Sequence, residues 1–167
     1  MFKKTFSAGM AWPKIQQYCA YQERAHQEVK AKLYGYGLHK ADVEELMARL
    51  IEENYLNEER FATDFARGKF KIKKWGRIKI KYELKNKQIS DYNIRQALSG
   101  LDEVEYIKTV NQLSSKKWST LVNTTPDERV RKNKVYAWLL QRGFESNIIK
   151  VVLDKGFKDR NADTKNE

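Results

Sequence analysis

The sequence has few of the residues that cross-link, bend or break a chain. Its 167 residues include one cysteine, Cys19, two prolines and eight glycines. A single cysteine excludes an intrachain disulfide and a cysteine-based zinc site, and it is typical of a reducing compartment. So few prolines and glycines disfavour a turn-rich β-sandwich and a low-complexity chain. The length and the Lys, Glu, Leu and Ala content predict about one all-α domain.

Long apolar runs are missing too. No stretch approaches the roughly 20 apolar residues of a membrane span. The basic pair Lys3-Lys4 is not followed by the apolar run of a signal peptide. We therefore expect a cytoplasmic protein without a membrane partner. There is no glycine-rich phosphate loop, and His26 and His39 have no catalytic partner nearby in the sequence. We expect no enzymatic activity, cofactor or metal.

What the sequence has in excess is positive charge, with a formal net charge of +11. The segment from Arg67 to Lys87 contains ten basic residues and one acidic residue, Glu83, so ten cations minus one anion place +9 of the +11 here. A charge run is usually a solvated surface, but ten cations repel one another unless something neutralises them. This balance favours a polyanionic partner, nucleic acid or a nucleoprotein. The residues predicted to contact DNA or a protein partner are Arg67, Lys69, Phe70, Lys73, Lys74, Arg77, Lys81 and Lys85.

Aromatic residues alternate with these charges and could stack on bases or contact a protein. Trp75 is expected in the core because it stands at a helix junction. The apolar face of the preceding helix is predicted to consist of Phe61, Phe65 and Ile72. Phe70 points away from that face, so we predict that it lies at the interface.

Helix signals divide the chain into short segments. Pro13 is expected at the first position of a helix, where its missing N–H costs nothing. Asn57 is a predicted N-cap, Trp75-Gly76 marks a break, and Ser90 or Asp91 is expected to cap the helix that follows.

An internal repeat connects these segments, because six apolar positions recur at offsets of 51 and 55 residues. The columns are Val29, Ile80 and Val135; Leu33, Leu84 and Leu139; Leu38, Ile89 and Phe144; Val43, Ile94 and Ile149; Leu46, Ala97 and Val152; and Met47, Leu98 and Leu153. The pattern predicts tandem three-helix repeats, each burying apolar faces within itself and against its neighbours. We expect an elongated, curved array of three units, which suits a groove better than a small pocket.

Each repeat has a predicted helix end inside it. Gly37 and Gly143 precede the third apolar column, and a left-handed glycine there ends a helix. Gln88 is the equivalent residue of the middle repeat. If it adopts the same conformation, it costs about 1 kcal/mol relative to glycine.

The predicted domain boundaries follow the repeats. They are a flexible arm over residues 1–11, repeats over 12–56, 57–101 and 102–157, the middle one basic, and a disordered charged tail over 158–167.

The middle repeat resembles the RecX family of regulatory proteins. An acidic helix start is followed by basic residues, a helix of the form Gly-x-x-x-Ile-x-x-Glu-Leu and an apolar residue after the turn. These are Glu58, Glu59, Arg60, Phe61 and Ala62, then Gly76, Ile80, Glu83 and Leu84, then Ile89. Arg142, Gly143 and Phe144 are similar to the Arg-Gly-Phe of the closing family motif. The resemblance covers roughly residues 18–153, with Gln88 where the family usually has glycine and Ile78 where it commonly has a basic residue.

The resemblance implies a modulator of the RecA recombinase, a protein of recombination and DNA repair. It implies a monomer that lies in the groove of the RecA–DNA filament. There it would inhibit or tune ATP hydrolysis and strand exchange by contact, touching single- and double-stranded DNA directly or through the filament. Two alternatives remain open: a direct DNA-binding protein of the helix-turn-helix type, which would bind duplex without a recombinase, and a Mg²⁺-dependent nuclease.

Overall fold

The computed structural model describes the backbone of residues 5–163 and the side chains of residues 5–156. Within that part the chain forms nine α-helices and no strand. The helices are α1 (Ala8–Tyr21), α2 (His26–Gly35), α3 (Lys40–Glu52), α4 (Glu58–Lys71), α5 (Arg77–Asn86), α6 (Asp91–Ser99), α7 (Glu103–Leu121), α8 (Glu128–Gln141) and α9 (Ser146–Asp163). They follow one another in three sets of three, which confirms the predicted all-α tandem repeat.

Side-chain caps fix the first helices of the sets. Ser7 accepts a hydrogen bond from the backbone N–H of Met10 at the start of α1. Asn57 accepts one from the N–H of Arg60 at the start of α4, as predicted, with an O–N distance of 2.9 Å. Asp102 does the same for α7. Each cap satisfies a backbone donor that a helix start leaves without a partner.

The ends of α2, α5 and α8 share one device. Gly37, Gln88 and Gly143 have φ angles of 83°, 60° and 88°, which are left-handed. The N–H of the residue after Gln88 and after Gly143 then donates to a carbonyl five residues earlier in the chain. This pattern satisfies the last helical carbonyls. The prediction that Gln88 takes the conformation of the two glycines is confirmed.

The repeat columns form the core. Of the eighteen predicted positions, Met47 and Leu98 are half-buried and the other sixteen are buried. The periodicity therefore identified the buried face of the second and third helix in every repeat.

Both predicted flexible ends are corrected in part. Residues 8–11 of the predicted arm lie in α1, and Ala11 is buried, because Ser7 starts this helix earlier than expected. Pro13 accordingly lies inside α1 and not at its first position. At the other end α9 continues to Asp163, through most of the predicted tail. Residues 1–4 and 164–167 lie outside the described residues.

By contacts the chain divides into two compact units. Unit 1 comprises the described residues up to Phe65 together with Leu84–Ala97, and unit 2 comprises Ala66–Glu83 together with the described residues from Leu98 onward. In unit 1 the apolar core includes Ile15, Val29, Leu33, Val43 and Leu50. In unit 2 the largest buried side chains are Tyr106, Phe70, Phe144, Ile80, Leu139 and Ile149. The cations of the α4–α5 region up to Lys81 belong to unit 2, and Lys85 belongs to unit 1.

Candidate polyanion-binding surface

The cations of unit 2 surround the α4–α5 turn, residues 72–76. Helix α4 closes here because Lys74 is left-handed, with φ 56°. The N–H of Lys74 donates to the carbonyl of Phe70, and the N–H of Trp75 donates to that of Lys69. Lys73 and Lys74 therefore occupy the point at which the chain reverses, and Trp75-Gly76 is the break that the sequence predicted.

A second turn, between α8 and α9, holds the α4–α5 turn in place. Arg142 donates from Nη2 to the carbonyl of Lys73 at 2.7 Å and from Nε to that of Lys74 at 3.3 Å. In return the N–H of Gly76 donates to the carbonyl of Arg142, and that of Ile78 to the carbonyl of Gly143. Because Arg142 binds only backbone carbonyls of the turn, the lysine side chains are left to project from it.

Glycine is required where the two turns meet. A Cβ on Gly76 would lie closer than 3.0 Å to backbone atoms of Gly143 and Phe144. A Cβ on Gly143 would lie equally close to the backbone of Lys79, in addition to the strain of its left-handed φ. The close backbone approach explains both glycines of the turn pair.

Several cations of this region have no acidic partner. Arg67, Lys73 and Lys81 are exposed, and Lys74 is half-buried. Within residues 5–156 none of the four takes part in an ion pair. Their charges are therefore balanced only by solvent ions, which a polyanionic ligand could replace.

Trp75 gathers two further cations at this surface. The Nζ atoms of Lys69 and Lys79 lie 5.0 and 4.5 Å from the centre of its ring. The ring is half-buried, so it is neither a full core residue, as predicted, nor an open stacking platform. Cation–π attraction of this kind holds ammonium groups over a ring face at about 0.5–1 kcal/mol each on exposed sites.

Beside the turn lies a basic cleft of about 410 Å³. Its lining consists of Lys74, Leu113, Lys116, Lys117, Thr120, Trp138 and Arg142. Four of these seven residues are cations and none is acidic. Lys117 and Arg142 also lie over the ring of Trp138, at 5.4 and 4.9 Å from its centre. The sequence analysis assigned Lys74 to an anion site but missed the other three cations, for which the adjacent pair Lys116-Lys117 was the available signal.

The prediction that Phe70 lies at an interface is wrong. Phe70 is 2% exposed and stacks on Tyr106, with ring centres 5.3 Å apart. Ile72, which was expected on the apolar face, is instead 79% exposed. The reason is that α4 ends at Lys71 and buries a second face, so its helical periodicity does not extend to Ile72.

Arg77 is also placed differently from the prediction. Its guanidinium donates to the carboxylates of Glu103 and Glu145 and lies over the ring of Tyr106, 3.8 Å from its centre. The side chain is 19% exposed. Burial alone would lower the pKa of Arg77, but the two carboxylates outweigh it and raise the pKa. Arg77 is therefore neutralised inside unit 2, where it stabilises the fold.

Tyr106 completes this buried group. Its hydroxyl donates to Glu145 at 2.6 Å and accepts the backbone N–H of Arg77 at 3.0 Å. Burial, followed by the hydrogen bond to Glu145, raises the pKa of Tyr106. The hydroxyl therefore stays protonated and fixes the first residue of α5 behind the turn.

Of the remaining predicted residues, Lys85 forms an exposed ion pair with Asp91 at 3.5 Å. Such a pair is weak enough to exchange for another anion. Among the helices of residues 5–163, none is long and apolar enough to cross a membrane.

Comparisons with known proteins agree with this architecture. The family model described as RecX, second three-helix domain, matches residues 57–98, and that of RecX, third three-helix domain, matches residues 103–153. A regulatory protein RecX from Prosthecochloris aestuarii is 31% identical over 140 residues, which cover 83% of this chain and 87% of that protein. One from Clostridium botulinum (strain Alaska E43 / Type E3) is 31% identical over 130 residues, covering 78% of this chain and 60% of the longer relative.

The crystal structure of RecX from Lactobacillus salivarius has the same fold. It matches with a TM-score of 0.81 at 24% identity and covers 89% of this chain and 95% of that one. The two family models together span 42 and 51 residues, more than half of the 167. With the repeat columns, the left-handed helix ends and these matches in agreement, the chain belongs to the RecX family of regulatory proteins.

Proposed function

We propose that this protein regulates a RecA-type recombinase by docking on the filament that the recombinase forms on DNA. In this proposal it lowers ATP hydrolysis and strand exchange during recombination and DNA repair, and it acts by contact without catalysing a reaction. The observation that carries the proposal is the set of cations at the α4–α5 turn without acidic partners, in a member of a family of regulatory proteins.

The charges set the expected strength and salt dependence of docking. Four cations lack an ion-pair partner within the described side chains: Arg67, Lys73, Lys74 and Lys81. If each neutralises one phosphate of duplex DNA, affinity falls by about 0.9 log units per log of salt and contact, or roughly a hundredfold between 50 and 200 mM salt. If acidic side chains of the recombinase are the partner, the fall is shallower, because counterion release from DNA no longer contributes.

The test is co-sedimentation with RecA filaments on single-stranded DNA over a salt series, alongside ATPase and strand-exchange assays. The variant replaces Lys73, Lys74 and Lys81 together with Glu. Because Arg142 binds backbone carbonyls of the turn, these changes keep the turn closed. We expect the variant to lose co-sedimentation and the effect on both activities.

A control variant changes the same charge elsewhere: Lys30, Lys108 and Lys150, all exposed, are replaced with Glu. It should behave as the unmodified protein. The proposal fails if stoichiometric protein leaves ATPase and strand exchange unchanged, or if the control loses as much activity as the turn variant. Sequence-selective binding to bare duplex would instead support a helix-turn-helix protein, and chelator-sensitive cleavage of DNA would support a nuclease.

A further inference from the structure

A second cleft, in unit 1, combines rings with positive charge. It has a volume of about 430 Å³, within the range of small-ligand sites. Its lining consists of Phe6, Lys14, Gln17, Tyr18, Tyr21, Arg24, Lys32 and Tyr36. Four of the eight residues are aromatic, three are cations and none is acidic. The cleft lies outside residues 57–98 and 103–153, which the family models match.

Helical spacing explains why these side chains meet. Lys14, Tyr18 and Tyr21 recur at the three- and four-residue intervals that share one face of α1. Across the cleft, the end of α2 contributes Lys32 and Tyr36. The N–H of Phe6 donates to the carbonyl of Tyr36 at 3.0 Å, and the two rings contact edge to face. The segment before α1 is thereby fixed as one wall.

The cations are held against the rings. The guanidinium of Arg24 lies 3.9 Å from the centre of the Tyr18 ring, and Nζ of Lys32 lies 5.3 Å from the same centre. Lys14 lies over Phe6. The neighbouring carboxylate of Glu23 is bound to Arg60 and does not neutralise Arg24. The cleft therefore presents positive charge and aromatic surface together.

Tyr21 leaves a ring open at the edge of the cleft. It is 81% exposed, and within residues 5–156 no other ring or cation lies against it. The other three rings of the cleft each contact a cation. A flat ring in water beside three cations is the arrangement with which proteins stack a base and contact its flanking phosphates.

We propose that this cleft binds single-stranded nucleic acid, with a base stacked on Tyr21 and the flanking phosphates on Lys14, Lys32 and Arg24. Unpaired bases and phosphates satisfy both properties of the lining. A duplex hides its base faces, and an acidic peptide uses the cations but leaves the ring without a partner. The inference goes beyond the proposed function, since it needs no recombinase and uses no residue of the α4–α5 turn.

The first experiment separates stacking from charge. Fluorescence anisotropy compares a labelled twelve-residue oligo-dT with an abasic oligonucleotide of equal length, which keeps the phosphates and lacks the bases. Tyr21→Ala should weaken oligo-dT binding by about fivefold or more, the value of one stacked base, and change abasic binding by less than about twofold. Tyr92→Ala removes another tyrosine, 61% exposed on α6, and should leave both affinities unchanged.

The second experiment tests the phosphate contacts. Replacing Lys14 and Lys32 with Ala should weaken both oligonucleotides and reduce the salt slope by about 0.7 for each lost contact on a single strand. Lys30→Ala, on the same helix as Lys32, serves as the charge control. Equal losses on oligo-dT and abasic DNA with Tyr21→Ala would overturn the stacking claim. A poly-Glu peptide that displaces oligo-dT from the cleft at lower concentration than unlabelled oligo-dT would assign the site to acidic protein.

The third experiment locates the nucleic acid directly. Oligo-dT carrying 5-iodouracil is photo-crosslinked to the full chain, and the modified peptides are identified by mass spectrometry. Crosslinks within residues 14–36, lost in Tyr21→Ala, are expected. Crosslinks confined to residues 67–87 would overturn this inference and leave the filament proposal standing. Crosslinks in the cleft without any effect on recombinase assays would do the reverse.

Discussion

Replacing Gly76 with alanine tests the contact between the two turns of unit 2. The new Cβ would lie closer than 3.0 Å to the carbonyl group of Gly143 and the nitrogen of Phe144. Both are backbone atoms, so no side chain can rotate out of the way. The clash is relieved only if the α4–α5 turn moves away from the α8–α9 turn.

The cost follows from what that movement breaks. The hydrogen bonds from Gly76 N–H to Arg142 and from Ile78 N–H to Gly143 would be lost. At about 0.5–1.5 kcal/mol net each, they contribute about 1–3 kcal/mol. Overpacking at a close contact adds about 1–3 kcal/mol. We therefore expect Gly76→Ala to lower the free energy of unfolding by about 2–6 kcal/mol.

Gly68 provides the matched control for the same substitution. It lies inside α4, and a Cβ there meets no atom within 4 Å. Gly68→Ala should therefore raise the free energy of unfolding by about 1 kcal/mol, since alanine is favoured in a helix interior. Urea unfolding followed by far-UV circular dichroism measures both. A loss below about 1 kcal/mol for Gly76→Ala, or shifts of the same sign in both variants, would refute the close approach.

Two further predictions concern unit 1. Gln88→Gly relieves about 1–2 kcal/mol of left-handed strain and loses about 0.5–1 kcal/mol of backbone entropy, so we expect a small increase in the urea midpoint; a lower midpoint would argue against strain at Gln88. Glu58 accepts hydrogen bonds from Ser90 and Asn93. Burial would raise its pKa, but these bonds outweigh it and hold the pKa of Glu58 below its ordinary value. The lowered pKa stabilises the fold above the unfolded-state value of about 4.3 and this contribution disappears as pH falls through the folded value. The stability difference between the unmodified protein and Glu58→Gln should therefore narrow below about pH 4 in urea titrations; a constant difference would contradict it.

The repeat pattern predicted most of the fold because its cause is local. Apolar residues at helical spacing must be buried wherever a helix forms, so the columns through Val29, Ile80 and Val135 identified the core without knowledge of its partners. The left-handed Gln88 followed from its alignment with two glycines. The early start of α1 was missed because Pro13 is a stronger sequence signal than the Ser7 cap.

The candidate surface was less predictable, because its geometry depends on residues far apart in the chain. Arg77 counts as a cation in the sequence, but Glu103 and Glu145 neutralise it from 26 and 68 residues away. Phe70 reads as exposed on the wheel of α4, and only the packing of Tyr106 buries it. The predicted domain boundaries and the roles of the unpaired lysines stay predictions.

The hold that Arg142 has on the α4–α5 turn determines how this chain can be dissected. The basic turn belongs to the middle repeat by sequence, yet its carbonyls are bound by a side chain of the last repeat. A fragment that stops before α8 would retain every lysine of the turn and lose the arginine that shapes it. The middle repeat is therefore not a transferable cassette, and the shortest piece expected to present these charges correctly extends through Phe144.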